Sequence, residues 1–230
     1  MAKIIKVVGR QVFDSRGNPT VEAEVFLQNK IKASAIVPSG ASTGAFEAFE
    51  LRDNDKNYFL GKSVLNAVNN VNTIINTSLK NIDSGKQKKI DQTLLNLDGT
   101  DNKKKLGANA LLAVSLAIAK AEAISKKKEL YQYLGKKFIL PKPLMNIING
   151  GAHADNNLKI QEFMIRPDSA KNFMDAIEKG FLVIQNLKKI LKSRNFLINV
   201  GDEGGFAPSI SSNEEALDLI IEAIEKSKLK

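Results

Sequence analysis

"LPKPLMNIINGG", residues 140–151, decides how the chain is built. Pro141 and Pro143 end any helical pattern that reaches them, because proline lacks the amide a helix needs and pushes the residue before it toward extended backbone. The stretch Leu144 to Ile148 follows and reads as a short strand, and the paired glycines Gly150 and Gly151 lead it into a loop. The stretch therefore reads as a hinge, with residues 1–135 forming one region and residues 141–230 opening another.

Before the hinge, strands precede helices. Val21, Ala23, Val25 and Leu27 alternate with Glu22, Glu24 and Gln28, a period of two that gives one apolar and one wet face. Asn29 and Lys30 turn the chain back into Ile31 to Val37, and Ile4 to Phe13 precedes the turn Gly17-Asn18-Pro19, which predicts a three-stranded antiparallel meander. The period then becomes helical: Val64, Leu65, Val68, Val71, Ile74, Ile75 and Leu79 recur every three or four residues, with Ser63 placed to cap. A second amphipathic piece, Ile90 to Leu97, and the alanine-rich run Ala108 to Ala121 complete an α+β unit ending near Gly135.

After the hinge come a loop from Gly150 to Asn157, an apolar run at Phe163 to Ile165, and a long helix expected to turn Phe173, Met174, Ile177, Leu182, Ile184, Leu187, Ile190 and Leu191 inward. The apolar run Phe196 to Val200 reads as a further strand. Ser212 and Glu215 form a capping box for a last helix with the stripe Leu217, Ile220, Ile221 and Ile224. So few elements cannot close a sheet, and an apolar face and a strand edge are expected to stay uncovered.

Composition narrows the classes. The 230 residues are 43% hydrophobic, as in a soluble globular protein, and carry 34 Lys and Arg against 25 Asp and Glu, a net charge of +9. Such a balance favours anionic partners, nucleic acid among them. The lysines, however, fall in short clusters, Lys86/Lys88/Lys89, Lys103 to Lys105 and Lys126 to Lys128, near expected helix ends where a solvated face or a dipole partner explains them. The chain has no cysteine, which excludes disulfides, thiol nucleophiles and thiolate metal sites. Lys3, Lys6 and Arg10 interrupt the apolar start, so no secretory signal is expected there. The run Ala108 to Ala121 is too short to span a bilayer and reads as a core helix, so no membrane insertion is expected.

Three stretches are costly unless used. "VPSGASTG", 37–44, is a flexible surface loop or a mobile lid whose backbone and hydroxyls meet a phosphate or hard cation; it lacks the lysine of a P-loop. "NGGAHADNNLKIQEF", 149–163, holds the single histidine, His153, and the polar pair Gln161-Glu162 at the start of an apolar run. A lone loop histidine is more often incidental, but this spacing can bring imidazole, amide and carboxylate to one rim of a sheet. "NVGDEGGFAP", 199–208, sets Asp202 and Glu203 among three glycines beside Phe206 and Pro208. A hydrated turn is the plain reading. A carboxyl that loses water against that apolar wall keeps its proton longer and can serve as a general acid.

"SRGNPTVE" at 15–22, "VPSGASTG" at 37–44, "NIINGGAHADNN" at 146–157, "IQEFMIRP" at 160–167 and "GDEGGFAP" at 201–208 together resemble the enolases, the phosphopyruvate hydratases of glycolysis, in bacterial form. Five specific motifs in order, spread over the whole chain, set this apart from a lone glycine pattern. The resemblance implies an α/β protein: an α+β N-terminal lid domain over 1–135, then the truncated beginning of a TIM-like barrel over 141–230, with two strands and two helices. It places "GDEGGFAP" between the two helices, against the strand reading of Phe196 to Val200. It also implies reversible dehydration of 2-phospho-D-glycerate to phosphoenolpyruvate with Mg2+. In that scheme Glu203 is the proton donor, Glu162 its partner carboxylate, His153 and Gln161 lie by the substrate, and Ser42 on the lid binds the second magnesium.

Dehydration beside a carboxylate loads negative charge onto an already anionic substrate, so metal ions and a proton donor for the leaving hydroxide are what the chemistry needs. Such a barrel takes about 250 residues, so the chain is expected to be an N-terminal fragment, inactive alone, with the remaining metal carboxylates, base lysine and phosphate arginine outside it. By the same resemblance it is a cytoplasmic homodimer, with a cell-surface or secreted location without a signal peptide and an RNA-degradation complex as further associations. A basic RNA-binding module and a surface-adhesion scaffold are the competing classes; neither accounts for glycine-flanked acids.

Overall fold

The alternation in residues 21–27 sets the first unit. The computed structural model describes residues 2–40, 43–201 and 204–229, and in it β1 (Ile4–Phe13), β2 (Pro19–Leu27) and β3 (Lys32–Val37) form the antiparallel meander in the order β1-β2-β3. Gly9 faces Ala23, and Ala23 faces Ala35. Val21, Ala23, Val25 and Leu27 are buried, while Arg10 on the wet face pairs with Glu22 and Glu24 across the ladder. Behind the sheet lie α1 (Leu65–Asn70), a π-helical turn (Val71–Ile75), α2 (Asn76–Leu79), α3 (Gln87–Asp98), α4 (Ala108–Ser125) and the short α5 (Leu130–Leu134).

Alanine spacing lets α4 lie directly on β2 and β3. It is long and apolar enough to cross a membrane, but Ala110, Ala113, Val114, Ala117, Ile118 and Ala121 are spent on the core of this unit. The π-helical turn runs along the outer edge of β1. Asn76 accepts the Val7 N–H at 2.8 Å, and Asn72 accepts the Gly9 N–H at 2.8 Å while donating to the Gly9 carbonyl at 3.1 Å. Side-chain amides thus occupy an edge that would otherwise offer its polar groups to another strand.

Ser63 does not cap α1. It is buried and donates to Gln11 Oε1 at 2.8 Å, and the first-turn N–H groups of Leu65 and Asn66 are accepted by the Asp53 carboxylate at 2.8 and 2.9 Å. The lysine clusters also divide. Lys126 to Lys128 follow the C-terminus of α4, where the helix dipole favours them, and Lys105 donates to the Leu97 carbonyl near the end of α3 at 3.1 Å. Lys86, Lys88 and Lys89 stand at the start of α3, the end at which cations gain nothing from the dipole, and all three are exposed.

The chain divides into two compact units, Met1–Phe138 and Ile139–Lys230. In the second, β4 (Met145–Asn149) pairs antiparallel with β5 (Glu162–Ile165), Asn149 facing Glu162. Two helices, α6 (Phe173–Ser193) and α7 (Asn213–Lys226), pack on each other and close a core of Ile147, Ile148, Phe163, Leu187, Ile190 and Leu219. The Asn172 side chain caps α6 through the Asp175 N–H, and Ser212 caps α7 through the Glu215 N–H at 3.2 Å, but the expected box is only half formed, because the Glu215 carboxylate accepts the Ser211 N–H at 2.9 Å and the Ser211 hydroxyl at 2.6 Å.

Two expectations change here. The inward face of α6 is Ala176, Gly180, Val183, Leu187, Ile190 and Leu191; Met174 is 74% exposed, and Phe173, Ile177 and Leu182 also reach solvent. On α7, Leu217 and Ile221 are exposed while Ala216, Leu219 and Ala223 are buried. Small residues, which a search for large apolar side chains passes over, occupy the tight contact between helices and sheet. The second change is Phe196 to Val200, which forms no strand. Asn195, at φ 60, ends α6, and along the run that follows a single bridge, Val200 to Phe206, is made. The run is a connection between α6 and α7, as the resemblance implied.

Candidate functional site

β4 is the floor on which the site is built. Ile147 and Ile148 bury it in the second core, and its far end, Asn149, is fully buried as well. Phe206 then lies along β4 on the side away from β5, forming a parallel bridge to Ile148. Its N–H donates to the Ile147 carbonyl at 2.9 Å, and its carbonyl accepts the Asn149 N–H at 2.8 Å. Glycine makes this approach feasible: a Cβ on Gly205 would sit 2.9 Å from the Ile147 carbonyl carbon, and one on Gly201 would sit 2.5 Å from Asn149 Nδ2 and 2.7 Å from the His153 carbonyl oxygen. The turn closes through Gly201 N–H to the Gly205 carbonyl at 2.9 Å, and Ala207 N–H returns to the Asn199 carbonyl at 2.8 Å.

The loop after β4 folds back at once. Gly150 N–H donates to the Gln161 carbonyl at 3.0 Å and Gly151 N–H to the Leu158 carbonyl at 2.8 Å. A single 3-10 turn, Gly151–His153, then carries the histidine inward. His153 is 7% exposed, and its Nδ1 lies 3.5 Å from Glu162 Oε1. That distance pairs charges, yet Nδ1 has no hydrogen-bond partner among the described residues, so a buried ring nitrogen stands next to a carboxylate with its bonding capacity unspent. Glu162 begins β5 and remains partly accessible, its side chain 28% exposed. Gln161 precedes it, packed so closely on Gly151 that a Cβ there would meet its Cγ at 2.9 Å.

His153, Gln161 and Glu162 therefore meet at one end of the β4–β5 pair, and Gly201, Gly205, Phe206 and Pro208 from the described ends of the acid loop rest on the same end. Asp202 and Glu203 themselves lie outside the described residues, as does Ser42. The stretch 37–44 belongs to the first unit, where Pro38, Ser39, Gly40 and Thr43 help line a cleft of about 450 Å³. Among the described residues no group of three or more His, Asp or Glu side chains is gathered to hold a metal ion. These residues by themselves do not make a magnesium centre.

Sequence reasoning missed two members of this cluster, Asn149 and Asn156. The signal was present: an asparagine that ends the apolar run of a strand must either escape to solvent or find partners. Asn149 Nδ2 donates to the Gly205 carbonyl at 2.9 Å, and Asn156 Nδ2 is shared between the carbonyls of Asn149 at 2.9 Å and Pro208 at 3.2 Å.

Comparisons with known proteins show the family to which the chain is similar. A family model described as enolase, N-terminal domain, matches residues 4–134, and one described as enolase, C-terminal TIM barrel domain, matches residues 137–230. A curated protein of Pelagibacter ubique (strain HTCC1062) named enolase is 59% identical over 232 residues, a match that takes in 100% of this chain and 55% of the relative. The chain thus spans about half the length of the curated relative it matches.

Proposed function

The chain belongs to the enolase family, and from that premise we propose that the whole protein interconverts 2-phospho-D-glycerate and phosphoenolpyruvate. In this reading residues 149–208 carry the leaving-group side of the site. The observation that supports it most is the meeting of His153, Glu162 and the ends of the 201–208 loop at one end of β4.

The roles given to these residues are those that the family resemblance implies. Loss of a proton from C2 leaves an electron pair that forms the double bond as the C3–O bond breaks, and the departing hydroxide must become water. Glu203, as general acid, delivers that proton and ends the step as a carboxylate. Glu162 is the second acid of the pair, placed to steer the hydroxyl, and the His153 imidazole orients it from its buried side. Gln161 offers a neutral amide to the substrate. The base that takes the C2 proton stands outside this cluster. A magnesium requirement, with Ser42 as one ligand, and a homo-oligomeric cytoplasmic enzyme go with the family reading.

The test is Glu203→Gln in the complete enzyme, following phosphoenolpyruvate formation by its absorbance. Removing a general acid at the leaving group lowers kcat by about 10²- to 10⁴-fold, with KM within a few-fold because the amide keeps the shape. Wild-type turnover in that variant would remove Glu203 from the chemistry.

A further inference from the structure

A fully buried asparagine at the end of an apolar strand needs a reason, since an aliphatic side chain would fill the place without any polar group to satisfy. Both donors of Asn149 with a bond in the structure go to the loop. Its backbone N–H holds the Phe206 carbonyl at 2.8 Å and its side-chain Nδ2 holds the Gly205 carbonyl at 2.9 Å. Its Oδ1 accepts from the Asn146 side chain, and its backbone carbonyl accepts from Asn156 Nδ2. Asn156 in turn reaches the Pro208 carbonyl at 3.2 Å, and its Oδ1 accepts the Leu158 N–H at 3.2 Å. The Gly205 carbonyl, taken by both Asn149 and Gly201, is thus the point where the turn is pinned.

We propose that Asn149 and Asn156 are positioning residues for the reaction: two amides that fix the carbonyls of Gly205 and Pro208, and through them the loop whose sequence carries Glu203. The inference rests on the function proposed above. Neither asparagine needs to touch substrate. Gly201 accepts no larger side chain against Asn149 Nδ2, so amide and glycine form one fitted pair, and a change on either side moves the loop ends. A proton donor works only within hydrogen-bond reach of the leaving oxygen, and a displacement of about 1 Å can cost about a hundredfold in rate.

The experiment uses the complete enzyme with Asn149→Ala and Asn149→Asp, the latter keeping size and acceptor while losing the donor to Gly205. The expected result is kcat lowered about 10- to 100-fold, KM within about threefold because His153 and Gln161 are untouched, and faster backbone hydrogen exchange in peptides covering 199–209 with α6 and α7 unchanged. Asn156→Ala, at a half-buried position that leaves the core intact, gives the same pattern more weakly and serves if the Asn149 variants fail to fold. Unchanged kcat per folded molecule, whatever the loss of thermal stability, overturns the proposal, as does unchanged exchange in 199–209. If the wild-type enzyme forms no phosphoenolpyruvate, the proposed function fails instead. The exchange measurement then shows separately whether Asn149 holds the loop.

Discussion

Asp98 shows how much one carboxylate can organise. It ends α3 and is buried, yet it accepts the Thr100 N–H at 3.0 Å, the Thr100 hydroxyl, and the Leu106 N–H at 2.7 Å. Burial pushes its pKa up, but the bonds from Thr100 and Leu106 outweigh that and hold the carboxyl below its ordinary value of 3.8. Because the folded value is the lowered one, its contribution is complete above about pH 4 and is lost as pH falls through the folded value. Asp98→Asn places an amide N–H₂ or a single acceptor where two acceptors are needed and should cost about 2 kcal/mol at pH 7. Urea unfolding at pH 7 and pH 3 checks it: the difference from wild type shrinks at the lower pH, and an equal difference at both would dismiss the ionised form as the cause. None of this could be read in the sequence, where "DGTDNKKKL" looks like a solvated turn, because the partners are backbone amides whose direction depends on the fold.

Elements were legible where the pattern itself carries the physics. The period of two in 21–27 fixes which face of the meander is buried, because that effect acts within a few residues; the last helix before the hinge stops at Leu134, at Gly135 and well before Pro141. The caps were legible only when local. Ser212 caps α7 as its spacing requires, whereas Ser63 is drawn off by Gln11 from β1 and Asp53 does the capping from twelve residues before Leu65. The faces of α6 and α7 were misjudged for a related reason: Gly180 packs directly against Met145, and no tally of large side chains can announce a contact made by the absence of one. At the candidate site the three motifs were legible as residue types, but the anchor at Asn149 depends on Phe206 lying beside β4, a pairing between positions 148 and 206 that no local pattern specifies. The cap gives a prediction at this scale. Asp53→Ala leaves the Leu65 and Asn66 amides without their acceptor and should destabilise the first unit by about 1–2 kcal/mol, Asp53→Asn by less, as read from the urea midpoint. Equal stability of the alanine variant would show that solvent replaces the carboxylate without loss.

The two units each own a core, and this determines how the molecule should respond to a protease. The first gathers Val25, Ile75, Leu79, Val114 and Ile118 around the meander, the second Ile148, Phe163, Leu187, Ile190 and Leu219 around β4 and β5. From Gly135 to Leu144 no regular element forms, and Lys136, Lys137, Phe138, Ile139 and Leu140 are all exposed. Backbone without ladder bonds is what a protease can draw into its cleft. Trypsin in brief exposure should therefore cut first after Lys136 or Lys137, while Lys142, followed by Pro143 and bonded to the Asp168 carbonyl at 2.6 Å, resists. The released pieces should then diverge. The first unit, with its strand edge occupied by Asn72 and Asn76, should persist, and the second, with Met174, Phe181, Leu217 and Ile221 exposed on its helices, should be digested or self-associate sooner. Mass spectrometry of the early fragments together with light scattering decides the matter. A first cut inside α4 or the meander, or a second unit that outlasts the first in soluble form, would mean that the exposed apolar helix faces carry no such liability and that the division between the cores is not where the chain yields.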